Sequence, residues 1–438
     1  MNKNENPAIK LIAGFLSIIF IGASLLSFSF MRQPDIAYSF VDTLFTAFSS
    51  VCVTGLTTVN IGTYFTFPGQ LVILFLIQIG GLGYMTIAVL MLALIKKRLS
   101  ISQKLATQSS IGRLSMDDLM GFVKYVILIT LVIETIGAVL LSYFWYPLLG
   151  SKSIYFAIFH AISAFCNAGF SLFSTGLLLF SDHISTILVM SFLIILGGIG
   201  FVVLYDLINY RKFKKISYHS KFVLYFSLYF ILLPFIMFFI MEYSNTATIG
   251  NFPLFSKILT SFFHSVTART AGFNIVSVNN YTNFNLFLCM ILMFIGASPA
   301  GTGGGIKTTT FVTVLCSFKA MFKGEKHVSI FYRRLEDKII ERAWVLFFSA
   351  LIIIAVFTLT LMLVENCSFK SGLFEIVSAF GTVGLSCGIT EDLSNCSKIL
   401  LMVLMLTGRI APLLIVSGFF VNYKGLNYKY PEEKIIIG

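Results

Sequence analysis

The segment Val51-Cys52-Val53-Thr54-Gly55-Leu56 closes a short apolar stretch, and it has three counterparts further along the chain. These are Phe165-Cys166-Asn167-Ala168-Gly169-Phe170, Ala268-Arg269-Thr270-Ala271-Gly272-Phe273 and Phe380-Gly381-Thr382-Val383-Gly384-Leu385. One falls in each quarter of the 438 residues, after an apolar stretch too short to cross a bilayer: 38–50, 153–165, 253–266 and 369–380. Stretches of about 10–14 residues read as re-entrant or interfacial segments. A single Gly-Leu or Gly-Phe pair carries no weight. Four copies in one setting make an internal repeat, and that decides the architecture.

Each copy lies between two longer apolar runs. The pairs are 9–31 with 68–95, 122–147 with 184–208, 220–241 with a run broken across 284–320, and 343–364 with 398–421. A spanning helix needs about 20 apolar residues, so each run is expected to cross once. Composition agrees, with 57% hydrophobic and only 11% charged residues, where a soluble domain carries about 25% charged. The first run lacks a small-residue cleavage site and resembles its successors, so it reads as an anchor rather than a removed signal. The expected fold class is all-α integral membrane, with four pseudo-symmetric units of outer helix, pore helix, filter loop and inner helix around one pore. The units are assigned as 1–95, 96–208 with a cytoplasmic linker, 209–320 with a linker and a broken inner helix, and 321–422 with a linker. Residues 423–438 form a cytoplasmic tail.

The net charge of +12 raises the question of nucleic acid, and the placement of the bases excludes it. Lys96, Lys97, Arg98, Lys104 and Arg113 follow the second run; Arg211, Lys212, Lys214, Lys215 and Lys221 follow the fourth. Lys319, Lys323, Lys326, Arg333, Arg334, Lys338 and Arg342 follow the sixth; Lys424, Lys429 and Lys434 follow the eighth. The intervening loops hold more acids, among them Asp35, Asp42, Glu365, Glu375, Glu391 and Asp392. By the positive-inside rule both termini are cytoplasmic. Cys367, Cys387 and Cys396 fall on the outer side, an odd set that spacing does not pair, and none of the seven cysteines has metal-ligand spacing.

Non-helical backbone at membrane depth is tolerated only when it is buried in protein or lines a watery cavity. Four such loops around one axis present rings of carbonyls that can replace the hydration shell of a monovalent cation. Glycine admits the positive φ that turns a carbonyl inward, and the short helices point their partly negative C-terminal ends at the membrane centre. The residues expected to bind the ion are Val53, Thr54 and Gly55; Asn167, Ala168 and Gly169; Thr270, Ala271 and Gly272; and Thr382, Val383 and Gly384. The inner runs carry a second set of glycines. Gly80-Gly81-Leu82-Gly83 and Gly197-Gly198-Ile199-Gly200 read as small residues for close packing of continuous helices. The third, Gly296-Ala297-Ser298-Pro299-Ala300-Gly301-Thr302-Gly303-Gly304-Gly305, cannot hold a regular helix and must open into a loop beneath the filter.

With these four filters, the Gly-rich third inner run and Arg409, the chain resembles the Trk/Ktr/HKT superfamily of potassium transporters over essentially its whole length. Beginning at the first outer helix, without the extra N-terminal spans of Trk-type subunits, it is most similar to the KtrB-type membrane subunits of Ktr systems. The resemblance implies potassium as the transported ion, sodium dependence, and a homodimer with one pore per protomer. It also implies a cytoplasmic RCK-type, KtrA-like nucleotide-binding regulatory subunit and no cofactor within this chain. It makes Gly296, Ala297, Ser298, Pro299, Gly301, Gly303, Gly304, Gly305 and Arg409 the expected gate. Gly301-Thr302-Gly303-Gly304-Gly305-Ile306-Lys307-Thr308 is not a Walker A loop, because an apolar span rather than a strand precedes it.

A charge at the depth of Arg409 costs roughly 2.5–3.5 kcal/mol on insertion scales, which makes Arg409 a functional candidate. Glu134, mid-span on an outer helix, reads as a buried hydrogen-bonded acid rather than an ion site. His160 and His264 read as scaffold behind the filters, Arg269 as a brace of the third loop, and Asp206 as an interface charge. Two alternatives compete with this reading. An HKT-like sodium transporter often carries Ser at the first filter position, where this chain has Gly55. An intramembrane enzyme would need paired acids, a nucleophile with its base, or metal ligands at bilayer depth; Glu134 and Arg409 alone do not make such a site.

Overall fold

A computed structural model describes residues 7–34, 36–96, 119–210, 214 and 216–418. Asp35, Lys97, Arg98, Lys104, Arg113, Arg211, Lys212, Lys215 and the tail 423–438 with its lysines lie outside the described residues. Within them, one element order occurs four times: an entering helix, a short helix, a Gly loop and a returning helix.

The entering helices are Pro7–Leu26, Leu119–Leu149, Tyr218–Glu242 and Asp337–Val364. Gly121–Leu149, Tyr218–Glu242 and Asp337–Val364 are each long and apolar enough to cross a membrane. Their apolar side chains point outward: Phe348, Ile352, Leu359 and Leu363 on the last helix are all exposed. Such a surface belongs in lipid. The short helices are Phe40–Cys52, Lys152–Phe165, Leu254–Thr267 and Phe369–Gly381. Two of them start on serine caps, Ser39 accepting from the Asp42 amide and Ser368 from the Ser371 amide, which supplies partners for otherwise orphaned donors. They differ from the entering helices in being buried on nearly every side toward their C-termini, as in Phe45 to Cys52 and Phe374 to Gly381.

The returning helices carry the connectivity. Phe67–Lys96 packs on Lys152–Phe165, Ile184–Ile199 on Leu254–Thr267, Asn283–Phe294 on Phe369–Gly381, and Asn395–Gly418 back on Phe40–Cys52. Each quarter thus leans on the short helix of the next, and the last closes on the first. Small residues permit the approach. Against the next quarter, a Cβ on Gly81 would lie 2.7 Å from Cys166 Sγ; against the short helix of its own quarter, one on Gly80 would lie 2.2 Å from the Val51 carbonyl oxygen, and one on Gly197 or Gly408 would lie 1.8 Å from that of Phe165 or Phe380.

The expectation of a continuous helix over 184–208 is corrected. The helix breaks at Gly200, whose φ is +101°, and Phe201–Ile208 leaves at an angle of 101°. The cause is competition for backbone groups. The Phe201 amide, which a continuous helix would direct to Gly197, donates to the Ala300 carbonyl at 2.9 Å. The freed carbonyls of Gly197 and Gly198 accept from the Thr302 and Ser298 amides at 3.1 and 3.0 Å. The third returning segment is broken where the sequence placed the break, between Asn283–Phe294 and Thr308–Phe322.

Candidate functional site

The four Gly loops have one backbone design. Val53, Asn167, Thr270 and Thr382 are all left-handed, with φ of 57°, 56°, 72° and 49°, and two residues later Gly55, Gly169, Gly272 and Gly384 have φ of 88°, 70°, 75° and 94°. Left-handed backbone is uncommon for residues with a Cβ, so its recurrence at four non-Gly positions marks an imposed geometry. The short helices impose it. Thr54, Ala168 and Val383 donate their amides back to the carbonyls of Ser49, Ser163 and Ser378 at 2.8, 2.7 and 2.9 Å. The Ser49 and Ser378 hydroxyls accept from the Gly55 and Gly384 amides, each at 3.1 Å.

The loops meet in a cycle. A Cβ on Gly55 would lie 2.4 Å from the Ala168 carbonyl oxygen, and one on Gly169 would lie 2.8 Å from that of Ala271. One on Gly272 would lie 2.2 Å from the Val383 oxygen, and one on Gly384 would lie 2.3 Å from that of Thr54. Four equivalent carbonyl oxygens, those of Thr54, Ala168, Ala271 and Val383, therefore each sit against the glycine of an adjoining loop, and no side chain fits between them. All twelve residues expected at the filter belong to this ring or its shoulder.

Directly against the ring lies the loop Gly296 to Gly305. Its neck is a bridge between Ile295 and Ile306. A Cβ on Gly303 would lie 2.0 Å from Thr270 Oγ1, and one on Gly304 would lie 2.2 Å from Thr382 Oγ1. Ser298 Oγ is within 3.2 Å of the hydroxyls of Ser227 and Thr308, and Thr302 Oγ1 donates to the Phe165 carbonyl at 3.1 Å. Arg409, buried, donates through Nη1 to the Thr302 carbonyl and through Nη2 to the Gly80 carbonyl at 2.6 Å. The expected gate residues are thus brought together.

Sequence reasoning missed Lys307. Its buried ammonium donates to the Gly303 carbonyl at 2.6 Å and approaches that of Gly304 at 3.4 Å. The signal was a lysine closing a glycine run inside an apolar segment. Arg269 donates to the Ser227 carbonyl at 3.4 Å, the position of a brace. His160 lies between the Phe156 carbonyl and Ser171 Oγ, and His264 contacts the Tyr281 hydroxyl. Asp206 braces the start of the helix Tyr218–Glu242, accepting from the amide of its cap Ser217 and from Ser220 Oγ. Two acids of the short helices are tied as well: Asp42 pairs with Lys398 at 2.7 Å, and buried Glu375 accepts from the Cys387 amide and Thr390 Oγ1. Among the described residues no cluster of His, Cys, Asp and Glu could hold a metal.

Residues 3–421 match the family model named TrkH and described as cation transport protein. The potassium/sodium uptake protein NtpJ of Enterococcus hirae is 39% identical over 445 residues, covering 100% of this chain and 98% of that protein. The Ktr system potassium uptake protein B of Bacillus subtilis is 39% identical over 433 residues, covering 99% of this chain and 97% of that protein. The crystal structure of the potassium transporter TrkH from Vibrio parahaemolyticus shares the fold, with a TM-score of 0.72 at 19% identity, over 92% of this chain and 84% of that one.

Proposed function

The chain belongs to the TrkH family of cation transport proteins, and from that membership we propose that it takes up potassium through the ring of four Gly loops. The observation that carries this reading is the cyclic closure of the ring, in which each loop gives one carbonyl oxygen to the same girdle. Backbone oxygens in such a girdle replace the water around a monovalent cation. Side chains are excluded there, so the ion meets only peptide dipoles. The units are the four quarters of the chain, 1–95, 96–208, 209–320 and 321–422, and both termini face the cytoplasm with the basic linkers.

The loop Gly296 to Gly305 closes the path beneath the ring, and Arg409 holds it there while setting a positive charge beside the pathway. A cation about 6 Å from that charge is repelled by roughly 3 kcal/mol at an effective dielectric of about 20, which slows passage about a hundredfold. Uptake is coupled to sodium. The subunit acts as a homodimer, and control comes from a separate RCK-type nucleotide-binding protein on the cytoplasmic face, because the linkers are too short to fold into such a domain. Expression in a host that lacks its own potassium uptake tests the function: growth at low external potassium is restored, more strongly with sodium present. Failure to accumulate potassium under both conditions would remove the proposal.

A further inference from the structure

Glu134 stands at the midpoint of the entering helix Leu119–Leu149 and is buried. Neither the ring nor the loop beneath it uses this carboxyl directly. Its Oε2 accepts from Gln78 Nε2 at 3.0 Å, and its Oε1 faces Cys166 Sγ at 3.9 Å. The thiol also lies 3.7 Å from Gln78 Oε1, so three polar side chains from three elements close on one another.

What these partners adjoin gives the cluster its meaning. Cys166 directly precedes Asn167, the left-handed residue of the second Gly loop. With its nitrogen donating to the Ala164 and Ile194 carbonyls at 3.2 Å each, the Asn167 amide sets its oxygen against Thr270 Oγ1 of the third loop, 3.3 Å away. Gln78 lies two residues before Gly80, whose carbonyl accepts Arg409, and a Cβ on the adjoining Gly81 would lie 2.7 Å from Cys166 Sγ. The helix Phe67–Lys96 is therefore wedged between the second loop and Arg409, and Glu134 touches Gln78 of that helix and Cys166 beside that loop.

We propose that Glu134 is a positioning residue for ion selection, which through Gln78 and Cys166 fixes the second loop of the ring relative to the Gly80 carbonyl that anchors Arg409. The inference rests on reading the ring as the selectivity filter. A misplaced Cys166 moves Asn167 and Ala168, one of the four carbonyl positions. A misplaced Gln78 moves the carbonyl on which Arg409 depends.

The test uses the full chain in liposomes, with potassium and sodium fluxes measured per inserted protein. Loss of a buried hydrogen-bonded acid predicts that Glu134→Ala lowers potassium-over-sodium discrimination by roughly tenfold, while Glu134→Gln, which keeps an oxygen for Gln78, stays within about threefold of the parent. Gln78→Leu reproduces the alanine effect, and the double variant is no worse than either single one, as members of one unit behave. Gly169→Ser, in the same loop, serves as the reference. If Gly169→Ser loses discrimination while Glu134→Ala and Gln78→Leu keep it, the positioning role is wrong and the filter reading stands. If Gly169→Ser also keeps it, the filter reading falls and this inference with it. Should Glu134→Ala not reach the membrane, Gln78→Leu at its half-buried position decides in the same way.

Discussion

The ring of Gly loops is built four times over, whereas the layer beneath it is built once. In the ring, each quarter supplies the same left-handed residue and glycine, and each loop is tied by backbone bonds to its own short helix. Beneath it, one loop from the third quarter is held by the other three: by Gly197 and Gly198 of the second, and by Arg409 of the fourth bridging to Gly80 of the first. The ring's loops are tied to their own short helices by backbone bonds and serine hydroxyls, and cannot be released without moving those helices. The layer depends on a handful of polar contacts that a small displacement would break. Glycine serves both for lack of room, and in the second it also breaks the helix. The contrast agrees with the proposed function, in which the ring selects and the layer closes.

The largest expected effects come from placing a Cβ in the ring. At Gly272 an added carbon would lie 2.2 Å from the Val383 carbonyl oxygen, and at Gly169 it would lie 2.8 Å from that of Ala271. Left-handed backbone costs a residue with a Cβ roughly 1–2 kcal/mol, and the overlap adds to it. Gly272→Ala should abolish potassium uptake at normal membrane levels, and Gly169→Ala should leave a measurable remnant with weakened preference over sodium. Equal activity of both variants and the parent in an uptake assay would erase the distinction between ring and layer.

Next come the contacts of the layer. Deleting Gly301 to Gly305, or changing Arg409 to Gln, should raise maximal potassium flux, by up to about a hundredfold if the electrostatic barrier is fully removed. Lys307→Met removes the ammonium from the Gly303 and Gly304 carbonyls. Loss of hydrogen bonds to a charged group predicts a rise of roughly tenfold. A fall in flux at normal protein levels would instead make Lys307 a part of the pathway.

The smallest effect lies at Glu365, where the helix Asp337–Val364 ends. Hydrogen bonds from Ser394 and Ser397 hold the half-buried Glu365 carboxylate below its usual range. A depressed folded pKa contributes stability that is present above the unfolded value, near 4.3, and is lost as pH falls through the folded one. Thermal melting of Glu365→Gln should therefore match the parent in strong acid and fall slightly below it at neutral pH. A difference confined to acid would reverse this sign.

Much of the ring was legible in sequence, because each of its parts is local. A short apolar stretch and a glycine at a fixed offset recur, and the short helices fall within two residues of the stretches 38–50, 153–165, 253–266 and 369–380. The layer was only half legible. The run Gly296 to Gly305 announced a break, but its partners lie far off in the chain. Arg409 Nη2 reaches a carbonyl 329 residues away, and no periodicity encodes that. The break at Gly200 was hidden for the same reason, since four residues that pack a helix closely also suit one that ends. What ended it was Ala300, from another quarter, taking the Phe201 amide.

The division of labour is tested most directly by one paired flux measurement on the Gly301 to Gly305 deletion in liposomes, potassium and sodium side by side. Faster potassium flux with the potassium-to-sodium ratio of the parent is expected, because the four ring carbonyls of Thr54, Ala168, Ala271 and Val383 all lie outside the deleted residues and stay tied to their own short helices. Faster flux with that ratio collapsed toward one would place selection in the loop and contradict it.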